Sequence, residues 1–294
     1  MADANALYAG VELGGTKCVC TLADASGQIL DQHSLPTNSP KETLAGIEDI
    51  LARWQQAYGF RAIGIASFGP IHLDPASPDW GHIANTPKPA WRGTDVAPRL
   101  RRRFNTPVAF DTDVNGAAVA ELRWGAGRAL GDFAYVTVGT GVGVGLIANG
   151  RPVHGFAHPE LGHVPVQRLP GDEWPGACPF HGACVEGLAS GRAIEARLRG
   201  RDIAAVTADD PLWTTVAHAL AQLCHVIVCA AAPRRIAIGG GVLTRQPHLL
   251  PRIEAALVES LAGYIDLSAE PYLVSPGLGA QAGPLGAIAL ALEA

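Results

Sequence analysis

Apolar and polar positions fall into blocks whose period changes along the chain. Leu7–Leu13 is a short apolar run broken by Gly14-Gly15-Thr16. Residues 17–23 then read as a strand, with Cys18 and Cys20 on one face and Val19 and Thr21 on the other. A turn at residues 24–27 leads to a third strand over 28–33, so the chain opens as an antiparallel meander. Ser39-Pro40-Lys41-Glu42 is a capping box with proline at the first helical position. Leu44, Ile47, Ile50, Leu51, Trp54 and Ala57 follow it at helical spacing. Residues 61–67 form a buried strand closed by Phe68-Gly69-Pro70. The Pro-, Gly-, Asp- and His-rich stretch 71–93 reads as a long surface loop, a length usually tied to function. A strand over 108–110 ends at Asp111-Thr112-Asp113, and an alanine-rich helix is predicted over 114–124.

The pattern then returns. Residues 133–138 read as a strand, Gly139-Thr140-Gly141 as a glycine turn and 142–147 as a strand. Asn149-Gly150 is a hairpin turn that introduces a third strand over 152–154. A later strand, 235–238, is closed by Gly239-Gly240-Gly241 and is the counterpart of residues 62–69. Thr16 and Thr140 occupy the two glycine turns, 124 residues apart. A period this long is no solenoid; it implies two similar lobes across a cleft. Helices are predicted over 185–199, 212–231, 248–262 and 284–293, the last packing back across the lobe junction. The expected division is a small lobe over 1–115, joined by the helix of 282–294, and a large lobe over 116–281.

Composition narrows the function. With 294 residues, 48% apolar and 17% charged, the chain builds a core without needing disulfides or metals to fold. A net charge of −5 argues against nucleic acid or an anionic membrane as partner. The basic run Arg99, Arg101, Arg102 and Arg103 reads as a solvated helix face. No segment is expected to span a bilayer, because Gln222 and His225 interrupt the apolar stretch 219–232. The N-terminus lacks the basic-then-apolar signature of a signal peptide. Six cysteines without an export signal suggest reduced thiols and a cytoplasmic location.

Glycine turns between strands bring bare amide groups to a surface where they converge on an anion. A duplicated pair, with Gly239–Gly241 in addition, suits a nucleotide polyphosphate. Lys17 is placed to neutralise phosphate charge. A Walker A loop is excluded because Thr16 and Lys17 stand in reversed order with no helix after them. The glycines of 139–145 never satisfy the dinucleotide pattern. At the strand–helix junction a carboxylate either caps the helix or acts as a general base for phosphoryl transfer; Asp111 and Asp113 both qualify, and Thr112 is a further capping candidate. Cys178, His181 and Cys184 form C-x-x-H-x-x-C, three corners of a tetrahedral zinc site. His163 is the preferred fourth ligand, with His154 and His158 as competitors. Four protein ligands leave no open position, so such a metal is structural. Glu160 and Glu186 flank the cluster as acceptors for sugar hydroxyls.

Together these segments resemble the ROK family (repressors, open reading frames and sugar kinases). The matching stretches are 10–17, 65–70, 111–121, 136–145, 158–163, 178–190 and 236–242. Asp-Thr-Asp-Val-Asn-Gly-Ala-Ala from Asp111 and the C-P-x-H-G-x-C loop are similar to the family's bacterial fructokinases. The resemblance implies an actin-like ATPase fold of two ribonuclease-H-like lobes and a cytoplasmic, ATP- and Mg²⁺-dependent hexose kinase, with fructose as the expected substrate. It implies Asp113 as the base and zinc on His163, Cys178, His181 and Cys184, in a loop spanning 154–186. Sugar contacts are implied at Asn85, Glu160 and Glu186, with His163 matching both patterns. ATP contacts are implied at Gly14, Gly15, Thr16, Lys17, Gly139, Thr140, Gly141, Gly239, Gly240 and Gly241. The family's members are often dimers. A kinase for mannose, glucose or an N-acetylhexosamine is the nearest alternative. A sugar-responsive repressor is the other, and it would need a helix-turn-helix ahead of Gly14.

Overall fold

The computed structural model describes residues 6–267 and 271–294. The chain divides into two units, the first of residues up to 128, 151–159 and 280–294, the second of 129–150 and 160–279.

The first unit opens with the expected meander. β1 (Leu7–Leu13), β2 (Lys17–Asp24) and β3 (Ile29–Pro36) pair antiparallel in sequence order. β3 alternates between half-buried and exposed positions, as an edge strand with one wet face should. α1 (Pro40–Ala57) starts at Ser39, whose side chain and that of Glu42 complete the capping box. It buries Leu44, Ile47, Leu51 and Trp54. β4 (Ile63–Ser67) is buried throughout and lies parallel to β1. α2 (Ala97–Phe104) carries the arginine run; Arg99 forks onto Glu48 of α1 and Arg102 pairs with Asp95, so the face is ion-paired as well as solvated. β5 (Val108–Thr112) is parallel to β4, and α3 (Asp113–Trp124) follows it directly. The sheet order is β3-β2-β1-β4-β5.

The second unit repeats this plan. β6 (Phe133–Val138) and β7 (Val142–Ala148) form the hairpin. β8 is shorter than expected, Arg151–Pro152, because the chain turns away before His154; it ends the second sheet, though its two residues are counted with the first unit. The helix expected over 185–199 is two helices, α4 (Val185–Ala189) and α5 (Gly191–Leu198). Ser190 divides them: its backbone is extended and its hydroxyl accepts from the Ala193 amide, so it ends one helix and caps the next. α6 (Pro211–Ala231) packs on α4 and on the helix of Leu249–Leu261. By length and composition α6 would reach across a membrane, contrary to expectation. Trp213, Val216, Leu220, Leu223 and Ile227 are nevertheless buried within the unit. The two polar residues that interrupt its apolar run, Gln222 and His225, both meet Ser260. β9 (Ile236–Gly239) is parallel to β6, and α7 (Gly241–Arg245) and α8 (Leu249–Leu261) follow. β10 (Leu273–Val274), too short to show in the sequence pattern, completes the order β10-β9-β6-β7-β8. Strand for strand, this is the first sheet again.

α9 (Ala282–Ala291) returns to the first unit and is buried on every side, against α3, β1 and β4. Glycine makes the approach possible. A Cβ on Gly64 would overlap the Ala287 carbonyl, and one on Gly116 would lie 3.0 Å from the Ala66 Cβ. α3 therefore belongs with the first unit, and the chain leaves that unit after Arg128 rather than near residue 115. Residues 154–159, expected in the metal loop of the large lobe, also sit with the first unit.

Gly64→Ala forces a methyl into the α9 backbone, and overpacking of this kind costs ~2–3 kcal/mol. We expect a lowered melting temperature by circular dichroism, whereas Gly131→Ala, at a position with open space and no left-handed backbone, stays far closer to wild type.

Candidate active site

Parallel strands collect function at their carboxyl ends. Leu13 pairs with Ser67, and Ser67 with Thr112. The next residues, Gly14, Phe68 and Asp113, therefore stand side by side at one edge of the first sheet, with strands ~4.8 Å apart. Between β1 and β2 the turn is closed by the Gly14 amide donating to the Lys17 carbonyl at 3.1 Å. Thr37 braces it from β3's end, its hydroxyl on the Gly14 carbonyl (2.7 Å) and its amide on the Thr16 carbonyl (3.0 Å). Thr16 and Lys17 are exposed.

Geometry separates the two aspartates. Asp111 is buried; one carboxylate oxygen accepts from the Thr112 amide (2.7 Å) and the Asn115 side-chain amide (2.8 Å). Its other oxygen meets His154 Nε2 at 3.0 Å. The helix cap is Thr112, whose hydroxyl accepts from the Asn115 amide at 3.1 Å. Asp113 thus is not the cap. It occupies the first turn of α3, half-buried, and accepts from the Val114 amide at 2.9 Å. The helix dipole there favours its ionised form.

One further acidic residue at this edge escaped the sequence reading. Glu12, next to last in β1, lies against Gly283 at the start of α9. Burial raises its pKa, and Lys17 opposes the shift. A carboxylate in an otherwise apolar strand, two residues before a glycine turn, was the available signal. Asn85 is exposed in the 71–93 loop.

In the second unit the turn Gly139-Thr140-Gly141 is closed by the Gly139 amide on the Gly141 carbonyl (2.9 Å). The Gly191 amide, at the start of α5, donates to the Gly139 carbonyl at 2.7 Å, which is why the helix breaks at Ser190. Gly240 has φ +90°, and a Cβ on it would lie 2.5 Å from the Val138 carbonyl oxygen, so only glycine lets this loop rest on β6.

His163, Cys178, His181 and Cys184 come together, their donor atoms all within 4.8 Å of one another. His163 Nδ1 is 3.4 Å from His181 Nδ1 and 3.6 and 3.7 Å from the sulfurs of Cys178 and Cys184. Around a tetrahedral ion with metal–nitrogen bonds of ~2.0–2.1 Å and metal–sulfur bonds of ~2.3 Å, donors stand ~3.3–3.8 Å apart. The four side chains fit that figure. Burial pushes the Cys184 thiol up to about 11, a penalty on the thiolate that a bound cation would offset. The competing histidines serve the first unit: His154 pairs with Asp111, and buried His158 accepts the Ile71 amide on Nε2 at 3.2 Å. Beside the cluster, Glu186 accepts the Val142 amide at 3.1 Å, tying α4 to β7. Its neighbour Glu160 is pushed up to about 7, by desolvation first and by the Glu186 charge second.

Two sheets of one topology, each with a glycine turn between its first two strands, define the class: an actin-like ATPase fold. The chain belongs to the ROK family, whose sequence profile matches residues 8–294. It is 41% identical to a fructokinase of Zymomonas mobilis subsp. mobilis over 100% of this chain and 99% of the relative. It is 39% identical to a fructokinase of Pediococcus pentosaceus over 98% of each. Among solved structures it resembles the ROK hexokinase of Thermus thermophilus, with a TM-score of 0.79, 28% identity and 98% of both chains covered.

The His154–Asp111 pair carries a pH signature. The hydrogen bond that His154 donates to Asp111 is the main cause raising the His154 pKa from its ordinary value. A raised histidine stabilises the fold fully below its unfolded pKa and loses that contribution as pH rises through the folded value. Asp111→Asn should lower the His154 titration midpoint measured by NMR and flatten this limb of the stability–pH curve.

Proposed function

We infer that this chain is an ATP-dependent fructokinase that phosphorylates D-fructose at its 6-hydroxyl. The observation that carries the reading is Asp113: a half-buried carboxylate relieved of capping by Thr112, level with the glycine turn of β1 and β2. Near full-length likeness to fructokinases supports the choice of sugar.

In this reading the amides of the Gly14–Lys17 turn and the Lys17 ammonium hold phosphate oxygens of ATP, and the Gly139–Gly141 and Gly239–Gly241 loops are proposed as the nucleotide contacts of the second unit. ATP enters as its magnesium complex, whose ion offsets charge on the β- and γ-phosphates. Asp113 accepts the proton of the fructose hydroxyl as its oxygen attacks the γ-phosphorus in line. Asp111 takes no part in that proton transfer; it holds Asn115 and the start of α3 in place. Glu160, Glu186 and Asn85 are proposed to exchange hydrogen bonds with the sugar.

His163, Cys178, His181 and Cys184 are proposed to bind zinc. With four protein donors the ion would cross-link the loop before α4 and take no part in the chemistry. None of the six cysteines is in a disulfide, and a cytoplasmic location is proposed with the reduced state that this fits. A homodimer is proposed from the family resemblance.

Three measurements test this. A coupled ATPase assay across hexoses should show fructose with the highest kcat/KM; preference for glucose or mannose replaces the substrate assignment. Asp113→Asn should lower kcat by ~10²–10⁴-fold and leave fructose binding by calorimetry nearly unchanged. Near-normal turnover removes Asp113 from the role of base. Elemental analysis of purified protein should give close to one zinc per chain, lost in Cys178→Ser together with part of the thermal stability; a metal-free wild type with an unaltered melting temperature counts against the site.

A further inference from the structure

We propose that Lys88, in the loop between β4 and α2, is a catalytic residue whose ammonium contacts the phosphoryl group in transit. The proposal rests on the kinase reading above and adds a residue to it.

Three observations place the side chain. The space that a Cβ on Gly15 would fill is 3.5 Å from Lys88 Cε, so the lysine stem lies along the phosphate turn. Its Nζ is 5.9 Å from the ring centroid of Phe68, within reach of a cation–π attraction. Phe68 is the first residue beyond β4, whose neighbours are β1 and β5, so the ammonium stands beside the residue that lies between the glycine turn and Asp113 in the sheet order. Among the described residues Lys88 has no carboxylate partner, and its charge is available to an anion.

The backbone beneath it is stiff. Pro87 and Pro89 flank the lysine. Its carbonyl accepts the Trp91 amide at 2.9 Å, and the Arg92 guanidinium holds the Thr86 carbonyl at 3.0 Å. Buried Trp91 anchors the segment, donating from Nε1 to the Asn38 carbonyl at 3.0 Å and meeting the Phe68 ring edge-on at 5.5 Å. A half-buried cation is thereby set at one place before substrate arrives, the condition under which a donor stabilises charge at no cost in reorganisation.

The chemistry needs such a group. As the sugar oxygen bonds to the γ-phosphorus, the bond to the β,γ-bridging oxygen breaks and its electron pair leaves with ADP. The hydroxyl proton passes to Asp113. Lys88 exchanges no atom; its N–H groups donate to the non-bridging oxygens of the moving phosphoryl group. Lys17, exposed on the turn itself, is left to the phosphates that stay with the nucleotide.

The test compares Lys88→Met and Lys88→Arg with wild type in steady-state turnover and in calorimetric binding of fructose and of fructose 6-phosphate. The product carries the transferred group and fructose does not. Lys88→Met should lower kcat by ~10²-fold, the scale of one lost charge-stabilising donor. It should weaken fructose 6-phosphate at least tenfold more than fructose, with Lys88→Arg recovering part of both losses. A kcat loss under tenfold overturns the proposal. So does a parallel loss of sugar and sugar phosphate, the mark of a residue that only shapes the loop. Wild-type activity on fructose in the same assay reports separately on the fructokinase reading.

Discussion

The parallel register of β1, β4 and β5 is the constraint on which the rest depends. Because Leu13, Ser67 and Thr112 lie abreast, everything that leaves the sheet does so along one line. The turn, the aromatic platform and the acid are consequences of where three strands stop. A slip of two residues in any one pairing would leave the faces unchanged and still move its terminal residue ~6.6 Å out of line. Side-chain alternation alone does not guard against that. The local bonds at the strand ends do: Thr37 on the turn, and Asp111 with Asn115 at the start of α3.

Much of this was legible in the chain. The meander, the capping box at Ser39 and the return of the same pattern after residue 130 come from local rules of period and turn chemistry; each is present, with strand bounds shifted by a few residues at β3 and β8. Three of the metal-cluster ligands share one short motif and could be read together. The fourth was legible only as a preference for His163 over His154 and His158, and tertiary pairing with Asp111 and Ile71 is what removes the two competitors. Asp111 and Asp113 pose the same problem. Capping by Thr112, a matter of one hydroxyl's orientation, separates them.

What failed in the sequence reading failed where a distant backbone group intervened. Nothing in the stretch 185–199 forbids a continuous helix. The break at Ser190 answers the carbonyl of Gly139, far upstream. Likewise 71–93 reads as an undifferentiated loop, yet Trp91 and Arg92 organise its end through Asn38 and Thr86. Long loops hide their order because their partners are not neighbours in sequence.

The discontinuity of the first unit has a bearing on how the protein is made. Its sheet is complete in strands by Thr112, but the part of its face at Gly10 and Gly64 is covered by α9, which begins at Ala282. During synthesis that bare face must wait while the whole second unit is translated. Contacts so distant in sequence close slowly, and an uncovered sheet invites wrong partners meanwhile. The nascent chain's exposure to chaperones is therefore written into the order of its helices.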